Sequence, residues 1–181
     1  DATVKLLTSN THLVLGDTGN LEPSGATRTD TVLTLDNPAP LEVHSRTVDA
    51  VTSGAEGTSA SSAEVEKLLI NLPGLKVTAD VLEAHTTAIC DRPSMTVATS
   101  GGSTIANLSI NGKAVPFNGK PNQKIKLGVA TIHLPAPSPP EVNTQVVNAL
   151  HVKVPGTPGV ASADVIVSHA ESGILTCPCN D

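Results

Sequence analysis

The chain has 181 residues, of which 39% are hydrophobic, so it is long enough for one substantial core. Its net charge is −6 and its 11 Lys and Arg residues are dispersed, which argues against a nucleic-acid partner. It has one Phe and neither Trp nor Tyr, so it lacks the aromatic platforms on which sugars, bases and flavins often stack. The core must therefore consist of Val, Leu, Ile and Ala, and we expect the abundant Thr on the surface.

Alternation of apolar and polar residues predicts strands throughout the chain. In chain order they cover residues 3–15, 30–36, 41–51, 76–90, 103–110, 123–134, 146–154 and 162–170. Residues 59–72 have helical spacing after a cap at Ser61-Ser62-Ala63-Glu64. We favour a strand there as well, because an internal repeat aligns this segment with one. No apolar run is long enough to span a membrane.

The chain repeats part of its own sequence. VEKLLINLPG at 65–74 aligns with VNALHVKVPG at 147–156, and TADV at 78–81 resembles SADV at 162–165. Each copy then continues to a His and a Cys. The simplest explanation is an internal duplication, in which residues 65–90 and 147–177 belong to two β halves that share one core. We therefore predict a single all-β domain over residues 1–181, either a sandwich or a barrel-like pair of sheets, with a β-solenoid as the alternative.

Three segments resemble the secreted bacterial proteins called choice-of-anchor P. They are SGGSTIANLSINGKAVP (100–116), VNALHVKV (147–154) and SADVIVSHAES (162–172), and the likeness covers about residues 60–180. The resemblance implies export and a location on the cell surface, but no activity. A first residue other than Met is what removal of a leader would leave. Because the sequence ends at Cys-Pro-Cys-Asn-Asp, where the family pattern implies an anchoring tail, we do not expect covalent or membrane anchoring.

The cysteines and histidines are the candidate site residues. Export favours a disulfide, and Cys90 and Cys177 end equivalent strands of the two copies, so we predict that they pair, with Cys179 as the alternative partner. His85 and His169 occupy matching positions and His151 lies on a partner strand. We predict no metal, but these three histidines are the candidates, with Glu83 and Glu171 as the nearby carboxylates.

No catalytic motif emerges. Asp17-Thr18-Gly19 matches the aspartic-protease signature, but no second copy exists to supply the other carboxylate, and a hairpin turn explains the same letters. We therefore predict that the protein is not an enzyme and has no cofactor.

The first strand suggests a role in assembly. Val4, Leu6, Leu13 and Leu15 lie in two apolar stretches of one long predicted strand, which could complete the sheet of a neighbouring copy. Residues 1–15 are thus a candidate donor strand. The function we expect is an extracellular structural subunit that polymerises into surface filaments, with copies of itself as partners. The alternative is a secreted module that binds a surface glycan or a protein without catalysis.

Overall fold

The computed structural model describes residues 2–8, 11–15, 17–22, 24–37, 42–72, 74–117, 123–127, 130–134, 136–137, 143–155, 163–174 and 177. Only the backbone is described at residues 2–8, 11–15, 35–37, 123, 124, 126, 127, 133, 136, 137 and 163. Within these ranges the protein consists of strands and turns, so the all-β prediction is confirmed. The described residues contain no helix that is long and apolar enough to cross a membrane.

Sixteen strands are present in the described ranges. They are β1 (Ala2–Thr8), β2 (Thr11–Leu15), β3 (Ala26–Val32), β4 (Leu35–Asn37), β5 (Glu42–Ser45), β6 (Thr47–Ala55), β7 (Thr58–Leu72), β8 (Leu75–Asp91), β9 (Thr96–Ala106), β10 (Ser109–Ile110), β11 (Lys113–Ala114), β12 (Gln123–Leu127), β13 (Ala130–Leu134), β14 (Ala136–Pro137), β15 (Thr144–Val154) and β16 (Ala163–Gly173).

The strands form two open sheets that pack face to face as a β-sandwich. Sheet A has the order β12-β13-β15-β16-β1-β2, with β14 also paired to β15. Sheet B has the order β11-β10-β8-β7-β5-β4; β6 pairs with β7, β3 with β6, and β9 with β8. The sheets do not close into a barrel, and they do not form stacked solenoid coils.

A long hairpin lies at the centre of each sheet. In sheet B, β7 and β8 are joined by a two-residue turn between Leu72 and Leu75, where Gly74 has a φ of 78°. In sheet A, β15 and β16 pair from Val154 with Ala163 onward. The two hairpins face each other and contribute fully buried side chains to one core, among them Ile70, Leu82, Leu150, Val152, Val165 and Val167.

These central hairpins carry the two copies of the predicted repeat. Their registers differ, because a two-residue turn closes the first and residues 155–162 connect the strands of the second. Internal duplication stays a prediction.

A crease crosses sheet B at the level of Arg46, Lys67, Asp80 and Asn107. Arg46 separates β5 from β6, and Asn107 lies between β9 and β10 with a φ of 53°. Lys67 has a φ of 52° inside β7. The buried positions of β7 change from odd to even numbers at this level, and those of β8 do the same. At this level, therefore, β5 gives way to β6 and β9 gives way to β10, and the side chains of β7 and β8 that face the core switch from odd to even positions.

Asp80 connects Lys67 of β7 and Asn107 at the crease by hydrogen bonds. Its carboxylate accepts a hydrogen bond from Lys67 Nζ at 2.7 Å and another from Asn107 Nδ2 at 2.6 Å. The bond from Lys67, followed by that from Asn107, lowers the pKa of Asp80 from its ordinary value. Left-handed backbone at a Lys is costly, and this local network helps to fix it.

Sheet A has a matching distortion opposite the crease. Ser168, inside β16, has a φ of 55° and is fully buried. Its hydroxyl donates a hydrogen bond of 2.8 Å to the backbone carbonyl of Leu82 in sheet B. The two sheets are therefore joined at the crease by a polar contact inside the core.

Most of the described Thr side chains are exposed or half-buried, as expected, but several hydroxyls lie inside the sandwich. Thr18, Thr52 and Ser61 form a buried chain with oxygen separations of 2.7 and 3.3 Å. Thr86 and Ser172 are equally buried, and their hydroxyls have no hydrogen-bond partner. A β-branched Thr fits an inward strand position as a Val does, so alternation alone cannot place it outside.

Candidate functional site

The N-terminal segment folds as a hairpin, so the prediction of one long strand over residues 3–15 was wrong. Thr8 pairs with Thr11, and β2 runs back along β1 as far as the pair of Val4 with Leu15. On its other side β1 pairs with β16 of the same chain, where Leu6 is opposite Val165. The side chains of Val4, Leu6, Leu13 and Leu15 lie outside the described residues.

The cysteines join the two sheets. Cys90, near the end of β8 in sheet B, forms a disulfide with Cys177, which follows β16 of sheet A, and their Cα atoms are 5.4 Å apart. Cys90 is 8% exposed and donates its backbone N–H to Gly57 at 2.7 Å. The predicted pairing of Cys90 with Cys177 is confirmed, and Cys179 lies outside the described residues.

His151 and His169 lie on the outer face of sheet A, each beside a carboxylate. His151 Nε2 is 2.5 Å from Asp164 Oδ1, across the β15–β16 pair. His169 Nδ1 is 2.6 Å from Asn148 Oδ1, and its Nε2 is 3.7 Å from Glu171. Both imidazoles are largely buried, at 16% and 13% exposed, so these contacts orient them firmly.

His85 lies on the opposite surface of the sandwich. It is exposed on the outer face of sheet B, where its ring covers Gly102 of β9. Glu83 is on the same face of β8, whereas Glu171 is on sheet A. The structure therefore does not bring the matching histidines together. Among the side chains that it describes, no three His, Cys, Asp or Glu residues are grouped so that they could hold a metal ion.

A row of carboxylates on the outer face of sheet B is not predictable from the sequence. Asp49, Glu64 and Glu83 are neighbours across β6, β7 and β8. Burial, followed by the negative charges of Glu83, Glu66 and Asp49, raises the pKa of Glu64. Only the register of three strands reveals the row, because the residues are far apart in the chain.

Asp17-Thr18-Gly19 forms a turn, but not the predicted hairpin. Asp17 Oδ1 accepts a hydrogen bond from Gly19 N at 2.8 Å, and Gly19 has a φ of 61°. The turn lies where the chain crosses from β2 in sheet A to β3 in sheet B. The hydrogen bond from Asp17 N–H to Asp30 Oδ2, 2.9 Å long, fixes it against β3.

Comparison of the chain with protein-family models, with curated proteins and with solved structures gives no match. The resemblance to choice-of-anchor P proteins, with the export that it implies, therefore stays a prediction.

Proposed function

We propose that the protein is an extracellular structural subunit that assembles into filaments by exchanging its N-terminal hairpin between copies. The observation that carries this proposal is the position of β1 and β2 at one side of sheet A, where β1 pairs with the last strand of the domain, β16. Without the hairpin, β16 would be an unpaired edge strand next to the core, which natural proteins avoid.

The connection to the rest of the fold favours exchange. The hairpin belongs to sheet A, but the chain that follows it enters β3 of sheet B. Residues 16–25 are thus its single covalent link to the domain. Swapping an identical element between copies keeps every native contact and changes only this link, which makes it a low-cost route to assembly.

Exchange along a line of subunits gives a polymer. Each copy then donates its hairpin to one neighbour and accepts a hairpin from another, which is a heterologous contact that need not close. The disulfide between Cys90 and Cys177 supports an extracellular setting, because such bonds persist in oxidising compartments.

A paired-cysteine experiment tests the exchange directly. Lys5 and Ile166 face each other in the register of β1 and β16, and residues paired across antiparallel strands are close enough for a disulfide. We expect Lys5→Cys/Ile166→Cys, in a Cys179→Ser background, to give a ladder of multiples of 18.4 kDa on a non-reducing denaturing gel. Electron microscopy of the same material should show filaments.

The control is Thr29→Cys/Val51→Cys, a register pair of β3 and β6 that lies wholly in sheet B. It should migrate as a monomer. If the test pair is also monomeric after complete oxidation, the hairpin stays in its own chain and the proposal is wrong. The alternative, a secreted module that binds a glycan or a protein, predicts that monomeric result.

A further inference from the structure

Strand β9 is a long edge of sheet B. It pairs with β8 in unbroken register, from Val81 opposite Ala106 to Asp91 opposite Thr96. In the described part of the chain no strand pairs with its other side. Edge strands of this length are normally covered or blunted, because their free backbone groups recruit other strands.

The backbone pattern shows which residues face the open side. Cys90 donates its N–H toward β7, to the carbonyl of Gly57. Because hydrogen-bonding direction alternates along a strand, the odd-numbered residues of β8 bond to β9, as at the pair of Ile89 with Ala98. The N–H and C=O groups of Val97, Thr99, Gly101, Ser103 and Ile105 therefore point away from the sheet. They extend over about 27 Å.

The sequence of β9 contains none of the usual features that protect an edge strand from pairing with another strand. The strand reads TVATSGGSTIA and contains no charged residue, no Pro and no interruption of register. The opposite edge strand of the same sheet, β3, carries Arg28 and Asp30 on the side that faces the other sheet. Inward-pointing charges are one of the devices by which proteins protect a sheet edge. One edge of sheet B is thus protected and the other is not.

We infer that β9 pairs antiparallel with β9 of a second copy, with the twofold axis at Gly101. In this register Gly101 faces its own equivalent, Val97 faces Ile105 of the other copy, and Thr99 faces Ser103. Apolar residues therefore meet apolar residues and hydroxyls meet hydroxyls on the inner face, and about ten backbone hydrogen bonds form. No like charges are opposed, although each copy carries a net charge of −6.

The hydroxyl of Ser103 supports a second copy of the chain as the partner of β9. This hydroxyl is buried and has no hydrogen-bond partner in the single chain. Buried polar groups are rarely left without one. The proposed register places the Thr99 hydroxyl of the second copy directly across from it, within the spacing of a cross-strand pair. Thr–Ser pairs across strands are a recognised source of sheet stability.

A proline substitution tests the edge. In Thr99→Pro the lost N–H faces outward, so the monomer keeps its ladder to β8 while the partner strand loses a donor and meets the ring. For the oxidised monomer of Lys5→Cys/Ile166→Cys, in which the hairpin cannot exchange, we expect sedimentation equilibrium at high concentration to give twice 18.4 kDa. Thr99→Pro in this background should raise the dimer dissociation constant at least tenfold. Thr29→Pro, whose N–H faces the free edge of β3 by the same alternation, should leave the dimer intact.

A charge pair tests the register and does not depend on folding effects at Thr99. Ala98 and Thr104 are exposed on the outer face and would face each other across the twofold axis. Ala98→Lys/Thr104→Lys should weaken the dimer by opposing like charges, and Ala98→Glu/Thr104→Lys should restore it. Both variants carry Thr104→Lys, which places a cation opposite Glu83 within the chain, so they differ only at residue 98. A hairpin-locked protein that stays monomeric, or two variants with equal affinity, would overturn the inference.

This interface goes beyond the proposed hairpin exchange, and the two can fail separately. When the Lys5→Cys/Ile166→Cys variant has formed its disulfide within one chain, hairpin exchange is blocked. A dimer of that oxidised monomer that Thr99→Pro abolishes must use β9. If the locked monomer does not dimerise while the wild type does, β9 is not the interface.

Discussion

The contact from Ser168 to Leu82 makes a quantitative prediction. The Ser168 hydroxyl satisfies the Leu82 carbonyl at 2.8 Å inside the core, and Ser168→Ala leaves that carbonyl without the bond. Leu82 also pairs with Val65 in the β7–β8 ladder, so its carbonyl keeps a strand partner, and the loss is that of one net hydrogen bond, about 1 kcal/mol. At about 2.1 cal/mol/K of unfolding entropy per residue, a loss of about 1 kcal/mol lowers the Tm of a 181-residue chain by about 3 °C.

The matched control lies on the same strand. Ser172 is also buried, at 2% exposed, but its hydroxyl has no partner. Ser172→Ala removes the same oxygen atom without breaking a bond, so we expect a change near zero or a slight gain in stability. Ser168→Gly should fall between the two, because glycine loses the bond but relieves the left-handed φ of 55°.

Far-UV circular dichroism during urea unfolding is the appropriate assay, because the chain has no Trp or Tyr for fluorescence. The difference between the two alanine variants isolates the hydrogen bond from the loss of a buried oxygen. Equal unfolding midpoints for Ser168→Ala and Ser172→Ala would refute the reasoning.

Three further predictions rest on other parts of the fold. Cys90→Ala/Cys177→Ala should lower the free energy of unfolding by about 4.5 kcal/mol in the chain-entropy model, because the bond closes a loop with a sequence separation of 87; calorimetry measures this. Glu64→Gln should raise the Tm near about pH 7 but not near about pH 3. A carboxylate whose pKa is raised in the folded state costs stability progressively as the pH rises from its unfolded-state pKa through its folded-state pKa, and costs nothing below both. Gly101→Ala should cost about 1–3 kcal/mol, since its Cβ would lie 2.8 Å from a valine methyl of β15 and 2.9 Å from a carbonyl of β8, whereas Gly102→Ala meets only a movable ring.

Each of these has a control within the chain. Cys179→Ser should keep the Cys90–Cys177 disulfide and the wild-type Tm. Glu22→Gln, in an exposed loop, should show no pH-dependent gain. A Glu64→Gln gain that persists in strong acid would disprove the electrostatic cause, and equal stability of the two glycine variants would disprove the close packing of β9 on β15.

The sequence predicts strands well where alternation continues over many residues. Residues 76–90 correspond closely to β8, and 146–154 to most of β15, because one face of each strand is buried. Alternation was less informative at the ends of the hairpins. Alternation predicts that the polar residues from Thr8 to His12 continue one strand, whereas β1 ends at Thr8 and β2 begins at Thr11. Ser and Asn, the residue types at positions 9 and 10, favour turns.

Sheet membership and register could not be predicted from the sequence. The cysteine pair was predictable because the repeat gave Cys90 and Cys177 equivalent positions. The approach of Ser168 to Leu82 depends on how two sheets pack, and the row of Asp49, Glu64 and Glu83 depends on three registers at once. Such contacts join residues far apart in the chain, and local patterns contain no information about them.

The disulfide also determines the topology of the molecule. It closes a covalent ring from Cys90 to Cys177, and all strands from β9 to β16 belong to that ring. A single proteolytic cut inside the ring leaves one covalent molecule, whose two pieces separate only after reduction. Strands inside the ring cannot be passed to another copy as a free end. The N-terminal hairpin lies outside the ring, so oxidation holds β9 to β16 in their own subunit and leaves the hairpin free to exchange.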